Sequence, residues 1–444
     1  MSHSINQDIT PLGLLKFAAP SIVMMVFMSL YTIVDGIFVS RFLGSNALSA
    51  LNIVYPVINV AIALSTMIGT GGSAIISKYL GEGKKKRARE ALTQFVLLTL
   101  LLSVILLVTS EIFLTPISRF LGASDVLLSD CRIYLGASML FIPACMLQTV
   151  FQSFLVTAGR PGFGLVLMVG AGILNMLLDY VMIVPLQMGI AGAALATGIG
   201  QCIPAILGLG FFVVSRGELR FCRFKVSGKE ILNACYNGSS EMISQLSNAV
   251  ITFLFNIVMM SLAGEHGVAA ITILLYGQFL FNAAYMGFSI GISPIVGFQY
   301  GAGNRTKLRK IYRVSFVFVA ISSVAVTAAA IFFSPVIVSV FTKEQRTWEL
   351  ASVGFRLFAI NFLFSGINIA SSGFFTALSN GKVSALISFS RTLVFIVISL
   401  LILPQILGIV GAWIAVPVAE FLTLIISGWM HRKYFLMPGK QNYL

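Results

Sequence analysis

The sequence predicts an all-α membrane protein, with twelve transmembrane helices in two six-helix bundles related by a pseudo-twofold axis. Three observations predict it. The chain is 58% hydrophobic and 10% charged, with a mean hydropathy of +0.96, whereas an ordinary soluble domain is roughly 45–50% apolar and about 25% charged. The apolar residues come in long unbroken runs, not in the short alternating strands of a β-barrel. The chain also repeats itself at half of its 444 residues.

A helix needs about 20 apolar residues to cross a bilayer. The first run that meets this is 14–39, LLKFAAPSIVMMVFMSLYTIVDGIFV. It carries one carboxylate near its far end, Asp35, with Tyr31 four residues earlier on the same helical face. A charge at that depth costs at least about 2.5 kcal/mol and calls for a partner, a proton or a water-filled cavity. The other spans are expected at 48–77, 91–117, 131–157, 163–186, 190–214, 232–261, 268–298, 313–340, 350–377, 383–404 and 408–430. The N-terminus lacks the short apolar core and cleavage site of a signal peptide, so the first apolar segment is expected to remain as a helix.

Two segments carry the repeat. Tyr79-Leu-Gly-Glu-Gly-Lys84 returns as Tyr300-Gly-Ala-Gly-Asn304, each before a basic run. Gly189-Ile-Ala-Gly-Ala-Ala-Leu-Ala196 returns as Gly408-Ile-Val-Gly-Ala-Trp-Ile-Ala415, and Pro185 matches Pro404. Six spans per half is an even number, so both halves run the same way through the membrane and a pseudo-twofold along its normal can relate them. The expected division is 1–214, a basic cytoplasmic linker at 215–231, and 232–444 with a cytoplasmic tail.

Sorting Lys and Arg over the connections gives 22 on the side of the termini and 6 on the other, with Arg391 inside a span. Cytoplasmic loops collect positive charge, so both termini are expected in the cytoplasm. The net charge of +14 is explained in the same way, and no nucleic-acid partner is expected. The five cysteines (Cys131, Cys145, Cys202, Cys222, Cys235) have no CxxC spacing and suggest neither disulfides nor a metal site.

Polar residues inside the spans are the functional candidates. Asn175 and Asp179 are spaced i, i+4 and share one face of the fifth span. Gln152 and Thr197 lie on neighbouring spans. With Asp35 and Tyr31 they can form one polar cluster in the N-terminal bundle, the chemistry of a proton relay or of a site where a cation replaces the proton. The second half does not duplicate it: Asp35 falls on Phe255, and Asp179 falls near position 399 in an apolar stretch. Glu241, with Gln245, Asn256, Gln278 and Asn282, is a weaker candidate for a substrate cavity. Glu241 is read either as functional or as solvated at a helix end. Glu420 is read as interfacial or hydrogen-bonded packing, Asn361 and Asn368 as helix–helix hydrogen bonds or substrate contacts, and Arg391 as snorkelling from a helix start. His3, His266 and His431 fall at the tail or at loop edges. Pro20, Pro56, Pro143, Pro204, Pro294 and Pro417 fall within spans, where they can bend helices. The 36 Phe and 17 Met are read as lipid-facing and core packing, or as a pliable cavity for varied substrates.

These residues resemble the multidrug and toxic compound extrusion (MATE) family over nearly the whole chain. The features that carry the likeness are VDGIFVSRFLG at 34–44, the Gly-rich turn before the basic loop at 79–87, Asn175-xxx-Asp179, and GIAGAALAT at 189–197. The MepA-like and DinF-like bacterial branches are the most similar. The resemblance implies the MATE/MOP-type fold and a cation or proton site in which Asp35, Tyr31, Asn175, Asp179 and Thr197 match the family's places. Gln152 stands on the fourth helix where relatives often have Asn. It implies antiport: H+, or Na+ at Asp35, Asn175 and Asp179, enters, and an amphipathic, often cationic organic compound leaves. No other cofactor is implied. The protein is expected as a monomer in the bacterial inner membrane. A lipid-linked oligosaccharide flippase of the same superfamily is the alternative, and it would favour extra spans and an Arg-rich cavity. Catalytic signatures such as a Walker motif, HExxH or a paired Cys-His cluster do not occur, so no enzyme is expected, and uphill transport would draw on an ion gradient.

Overall fold

The structure, a computed structural model, describes residues 10–215, 217–436 and 443. The expectations for the tails, with His3 and Lys440, and for Arg216 fall outside these residues. The described chain is helical: α1 (Pro11–Gly44), α2 (Ser49–Gly81), α3 (Lys85–Ile112), α4 (Leu114–Phe120), α5 (Leu128–Leu140), α6 (Ile142–Thr157), α7 (Pro161–Ile183), α8 (Gly189–Val214), α9 (Gly228–Gly301), α10 (Arg305–Phe332), α11 (Ser334–Phe341), α12 (Gln345–Phe358), α13 (Phe362–Ala377), α14 (Gly381–Phe389), α15 (Phe395–Leu407) and α16 (Ile409–His431). Local chemistry starts α1: Pro11 stands in its first turn, and the Thr10 hydroxyl accepts the Gly13 N–H at 3.0 Å.

Ten stretches among the described residues are long and apolar enough to span a membrane, and α5 with α6 make an eleventh. The 74 residues of α9 would run to roughly 110 Å as one helix, far beyond a bilayer core of about 30 Å. Gly264 breaks it, with φ 62° and ψ −150°, so α9 supplies two arms and the count becomes the twelve expected. Gly44, with φ 84° and ψ −179°, separates α1 from α2 in the same way. A Cβ is strained at such a φ.

The fourth expected span is not one helix. It bends by 55° between α5 and α6. Pro143 lies in the first turn of α6 and has no N–H to continue the ladder. The third and ninth spans end earlier than the hydropathy suggested, at Ile112 and Phe332, and short helices α4 and α11 follow. Residues 228–231 of the expected linker belong to α9. The rest of the linker is strapped to α3: Arg89 Nε donates to the Glu218 carbonyl at 2.8 Å, and the Gln94 amide exchanges two hydrogen bonds with the Ser227 backbone at 3.0 and 2.9 Å.

The repeat is written in the backbone. Left-handed residues recur as Gly44 and Gly264, Gly83 and Gly303, Gly159 and Ser379, Gly189 and Gly408. The seam between the two halves obeys the same relation. A Cβ on Gly81 would lie 2.0 Å from the Phe298 carbonyl oxygen, and one on Gly301 would lie 2.1 Å from the Lys78 carbonyl oxygen. Gly71 and Gly238 meet the backbones of Ala234 and Met67, while Gly291 and Gly287 meet those of Ala18 and Ser21. Each contact has its counterpart about 220 residues away, as an isologous interface requires. Hydrophobic clusters fill both halves, with Phe151, Phe154 and Phe212 in one and Phe355, Phe358 and Trp413 in another.

Candidate functional site

The buried stripe of α7 is Leu167, Met168, Ala171, Gly172, Asn175, Asp179 and Ile183, a helical spacing of three and four. Two glycines let neighbours approach it. A Cβ on Gly172 would lie 2.7 Å from Phe27 and 3.5 Å from Tyr31 of α1, and one on Gly200 of α8 would lie 3.1 Å from the Asn175 Cβ. Small residues at such crossings are the usual way that helices pack closely in lipid.

This packing brings Asp35 from α1 to Asp179 from α7. Their carboxyls adjoin within hydrogen-bonding reach of one another. Asp179 is buried, at 2% exposure, and Asp35 is half-buried. Asn175 Nδ2 donates to Thr197 Oγ1 of α8 at 3.3 Å. Three acceptors of the cluster, Asp35 Oδ1, Asn175 Oδ1 and Asp179 Oδ1, are buried and have no donor. Tyr31 lies within electrostatic reach of Asp35.

Gln152 is placed differently. Its amide Nε2 lies 2.8 Å from Met25 Sδ and 3.5 Å from Met28 Sδ. Met28 is about two helical turns before Asp35, roughly 10 Å along α1. The structure adds residues that the sequence reading did not name. Tyr134 of α5, 7% exposed, is within electrostatic reach of both Asp35 and Asp179. Tyr55 of α2 is within reach of Asp35, and Cys145 of α6 neighbours both Tyr31 and Tyr55. The available signal was a phenol inside an apolar span. It did not say which way either helix turns.

In the second half, Ser365 Oγ donates to Asn282 Oδ1 at 3.0 Å, the Gln245 carbonyl accepts Asn59 Nδ2 at 3.1 Å, and Asn256 Oδ1 is buried without a donor. Gln278 and Glu241 are half-buried. Two readings change. Arg391 does not snorkel from a helix start. It lies within a π-helical turn, Ser390–Val394, between α14 and α15, and its NH1 donates to Glu420 Oε1 at 3.3 Å. Hydropathy could not reveal this, because the partner lies on α16, 29 residues on. Glu420 is 1% exposed and bound by Asn368 Nδ2 at 2.8 Å. The second change is His431. It ends α16 but is buried, with Nε2 2.8 Å from Ser371 Oγ and Nδ1 3.2 Å from the Tyr312 hydroxyl. His266 lies within α9, two residues after the break at Gly264, with its Nδ1 2.9 Å from Glu344 Oε1.

Chemically, two adjoining carboxyls in a medium of low dielectric cannot both carry charge cheaply. A proton or a cation relieves the repulsion, and the orphaned oxygens are the hard donors that such a cation takes. Among the described residues, no group of three or more His, Cys, Asp and Glu could hold a metal ion.

The family model MatE matches residues 20–181 and 242–401. The Multidrug export protein MepA of Staphylococcus haemolyticus is 23% identical over 432 residues, which cover 93% of this chain and 92% of its own. The crystal structure of MATE in the straight conformation matches with a TM-score of 0.91 at 24% identity over 97% of both chains. The outward-facing conformation of a multidrug resistance MATE family transporter of the MOP superfamily matches with a TM-score of 0.86 at 25% identity, over 95% of this chain and 94% of that one.

Proposed function

The chain belongs to the MatE family, and from that premise we propose that it is a secondary active multidrug antiporter. It is a transporter, not an enzyme. In this reading, amphipathic, often cationic organic compounds leave the cell in exchange for H+ or Na+ by alternating access. The observation that carries it is the adjoining pair Asp35 and Asp179 beside Asn175, with three buried oxygens lacking donors. The relative's designation as a multidrug export protein supports the substrate class.

Mechanism follows from mutual exclusion. The coupling ion neutralises the pair and lets α1 and α7 come together. A cationic substrate opposes that state, so each ligand lowers the other's affinity by the same factor. Residues 1–214 and 232–444 would act as the two moving units, joined by the linker. The seam glycines shut the end of the molecule next to residues 82–84 and 302–304, and the basic bias places that end in the cytoplasm. Lys84→Cys and Lys307→Cys are expected to resist an impermeant maleimide applied to intact cells and to react in inverted vesicles. Labelling from outside would overturn the orientation.

The deciding experiment is counterflow in proteoliposomes, with H+ and Na+ gradients imposed separately against a panel of cationic dyes. One gradient alone should drive uptake of several dyes. Dye movement indifferent to both gradients would refute antiport.

A further inference from the structure

The two halves repeat the same turns at one end of the molecule but balance their charges differently. In the first half the cations at the start of α3 are neutralised. Lys84 Nζ lies 2.7 Å from Glu82 Oε2, and Lys85 Nζ lies 2.7 Å from Glu218 Oε1 of the linker. At the offset of 220 residues, Ala302 replaces Glu82, Asn304 replaces Lys84 and Arg305 replaces Lys85. Residues 432–444, which follow α16 as the linker follows α8, hold no Asp or Glu. Lys382 stands where the first half has Gly162. Among the described residues, neither Arg305 nor Lys382 pairs with a carboxylate.

Both cations line one cavity of about 590 Å³, between the starts of α10 and α14 and the C-terminal tail. Ligand sites typically measure about 300–1,000 Å³. Tyr300, Tyr434 and Tyr443 form much of its wall, and no Asp or Glu lines it. The Tyr443 hydroxyl accepts Asn380 Nδ2 at 3.1 Å, and its backbone N–H donates to the Tyr434 carbonyl at 3.0 Å. Lys78 Nζ lies 5.4 Å from the centre of the Tyr300 ring, and Lys433 Nζ lies 5.5 Å from that of Tyr434. Two further ammonium groups thus raise the positive potential at this wall.

One wall residue is placed there at a cost. Ser379 has φ 57°, where the first half has Gly159 with φ 72°. A side chain is strained in that conformation and glycine is not. The Ser379 hydroxyl is buried and has no hydrogen-bond partner, although it lines the cavity. Buried hydroxyls nearly always have a partner. Backbone strain and an orphaned donor at one point mark a place that a ligand completes. The wall offers cations, hydroxyls and aromatic faces. That set suits an anion with several acceptor oxygens, as a phosphate has. Tyrosines gather at headgroup level in membrane proteins, and basic pockets between helix ends take anionic headgroups.

We propose that this cavity binds a phosphate-bearing anion, the headgroup of an anionic phospholipid or a soluble organic phosphate. Arg305 and Lys382 hold the phosphate oxygens, and Ser379 Oγ donates to one of them. The site is separate from Asp35 and Asp179 and does not depend on antiport.

The test is native mass spectrometry of the purified full chain in detergent. It is titrated separately with dioleoylphosphatidylglycerol, dioleoylphosphatidylcholine and glycerol phosphate. Phosphatidylglycerol should bind about tenfold more tightly than phosphatidylcholine, the factor that roughly 1.4 kcal/mol of charge-assisted contact supplies. The double variant Arg305→Gln with Lys382→Gln should lose that preference. Lys229→Gln with Lys310→Gln removes the same charge outside the cavity and should keep it. Ser379→Gly should weaken phosphatidylglycerol several-fold without lowering the melting temperature of the empty protein, because glycine relieves the strained φ. Glycerol phosphate binding that needs Arg305 and Lys382 would assign a soluble phosphate, and phosphatidylglycerol binding alone would assign a lipid headgroup. A wild-type chain indifferent to all three probes would overturn the proposal. So would a preference that survives in the Arg305 and Lys382 variant, one lost equally in the Lys229 and Lys310 variant, or unchanged binding in Ser379→Gly. None of these outcomes bears on gradient-driven dye movement, so the antiport reading stands or falls separately.

Discussion

Asp35→Asn is expected to abolish gradient-driven efflux, a loss of more than about tenfold, in a protein that still folds. The amide keeps the shape of the carboxyl and can still bond to Asp179, which adjoins Asp35. What it removes is the repulsion that a proton or a cation relieves, and with it the thermodynamic linkage between ion and substrate. Asp179→Asn should act through the same pair, because two groups this close titrate together. In wild type, cationic substrate should bind less tightly as the pH falls, since protons compete for the same oxygens. In Asp179→Asn that slope should flatten. Dye efflux from energised vesicles and dye binding across a pH series measure the two effects. A wild-type slope together with wild-type efflux in Asp179→Asn would move the coupling site elsewhere.

Gly81→Ala and Gly301→Ala should each destabilise the protein, and by similar amounts. The added Cβ would fall 2.0 Å from the Phe298 carbonyl in the first case and 2.1 Å from the Lys78 carbonyl in the second. Both obstacles are backbone, so the helices themselves must separate. Overpacking of this kind costs typically about 1–3 kcal/mol. The effect should extend to transport, because the displaced surfaces are the ones that shut this end of the molecule. Gly210→Ala is the control, since nothing lies within 4 Å of its Cβ position. Thermal melting of the purified variants, alongside efflux, tests the seam. A melting temperature unchanged in both variants would mean that the helices do not approach as closely as described.

Glu420→Gln illustrates what the structure alters. Read as interfacial or hydrogen-bonded packing, Glu420 would tolerate the change with transport largely intact. With Arg391 bonded to it at 3.3 Å and Glu420 enclosed, the single change leaves a guanidinium buried beside a neutral amide. Breaking a buried pair on one side costs roughly 3–5 kcal/mol, so the variant should be judged on folding before transport.

The helical membrane fold, the number of spans and the repeat all follow from the order of residues along the chain. The reason is that the bilayer forbids unpaired backbone and demands apolar runs of fixed length. That order also puts Asn175 and Asp179 on one face, because helical geometry alone relates residues four apart. Asp35 stood out because a carboxylate is costly at that depth. Which helix faces meet was settled by packing in three dimensions, and the tertiary structure supplies it. It brought Tyr134 and Tyr55 within electrostatic reach of Asp35, turned Gln152 toward Met25 and Met28, bent the fourth span before Pro143, and joined Arg391 to Glu420 across two helices. Rotation and tilt of a helix in lipid are set by its neighbours' side chains, and hydropathy is nearly the same whichever way an apolar helix turns.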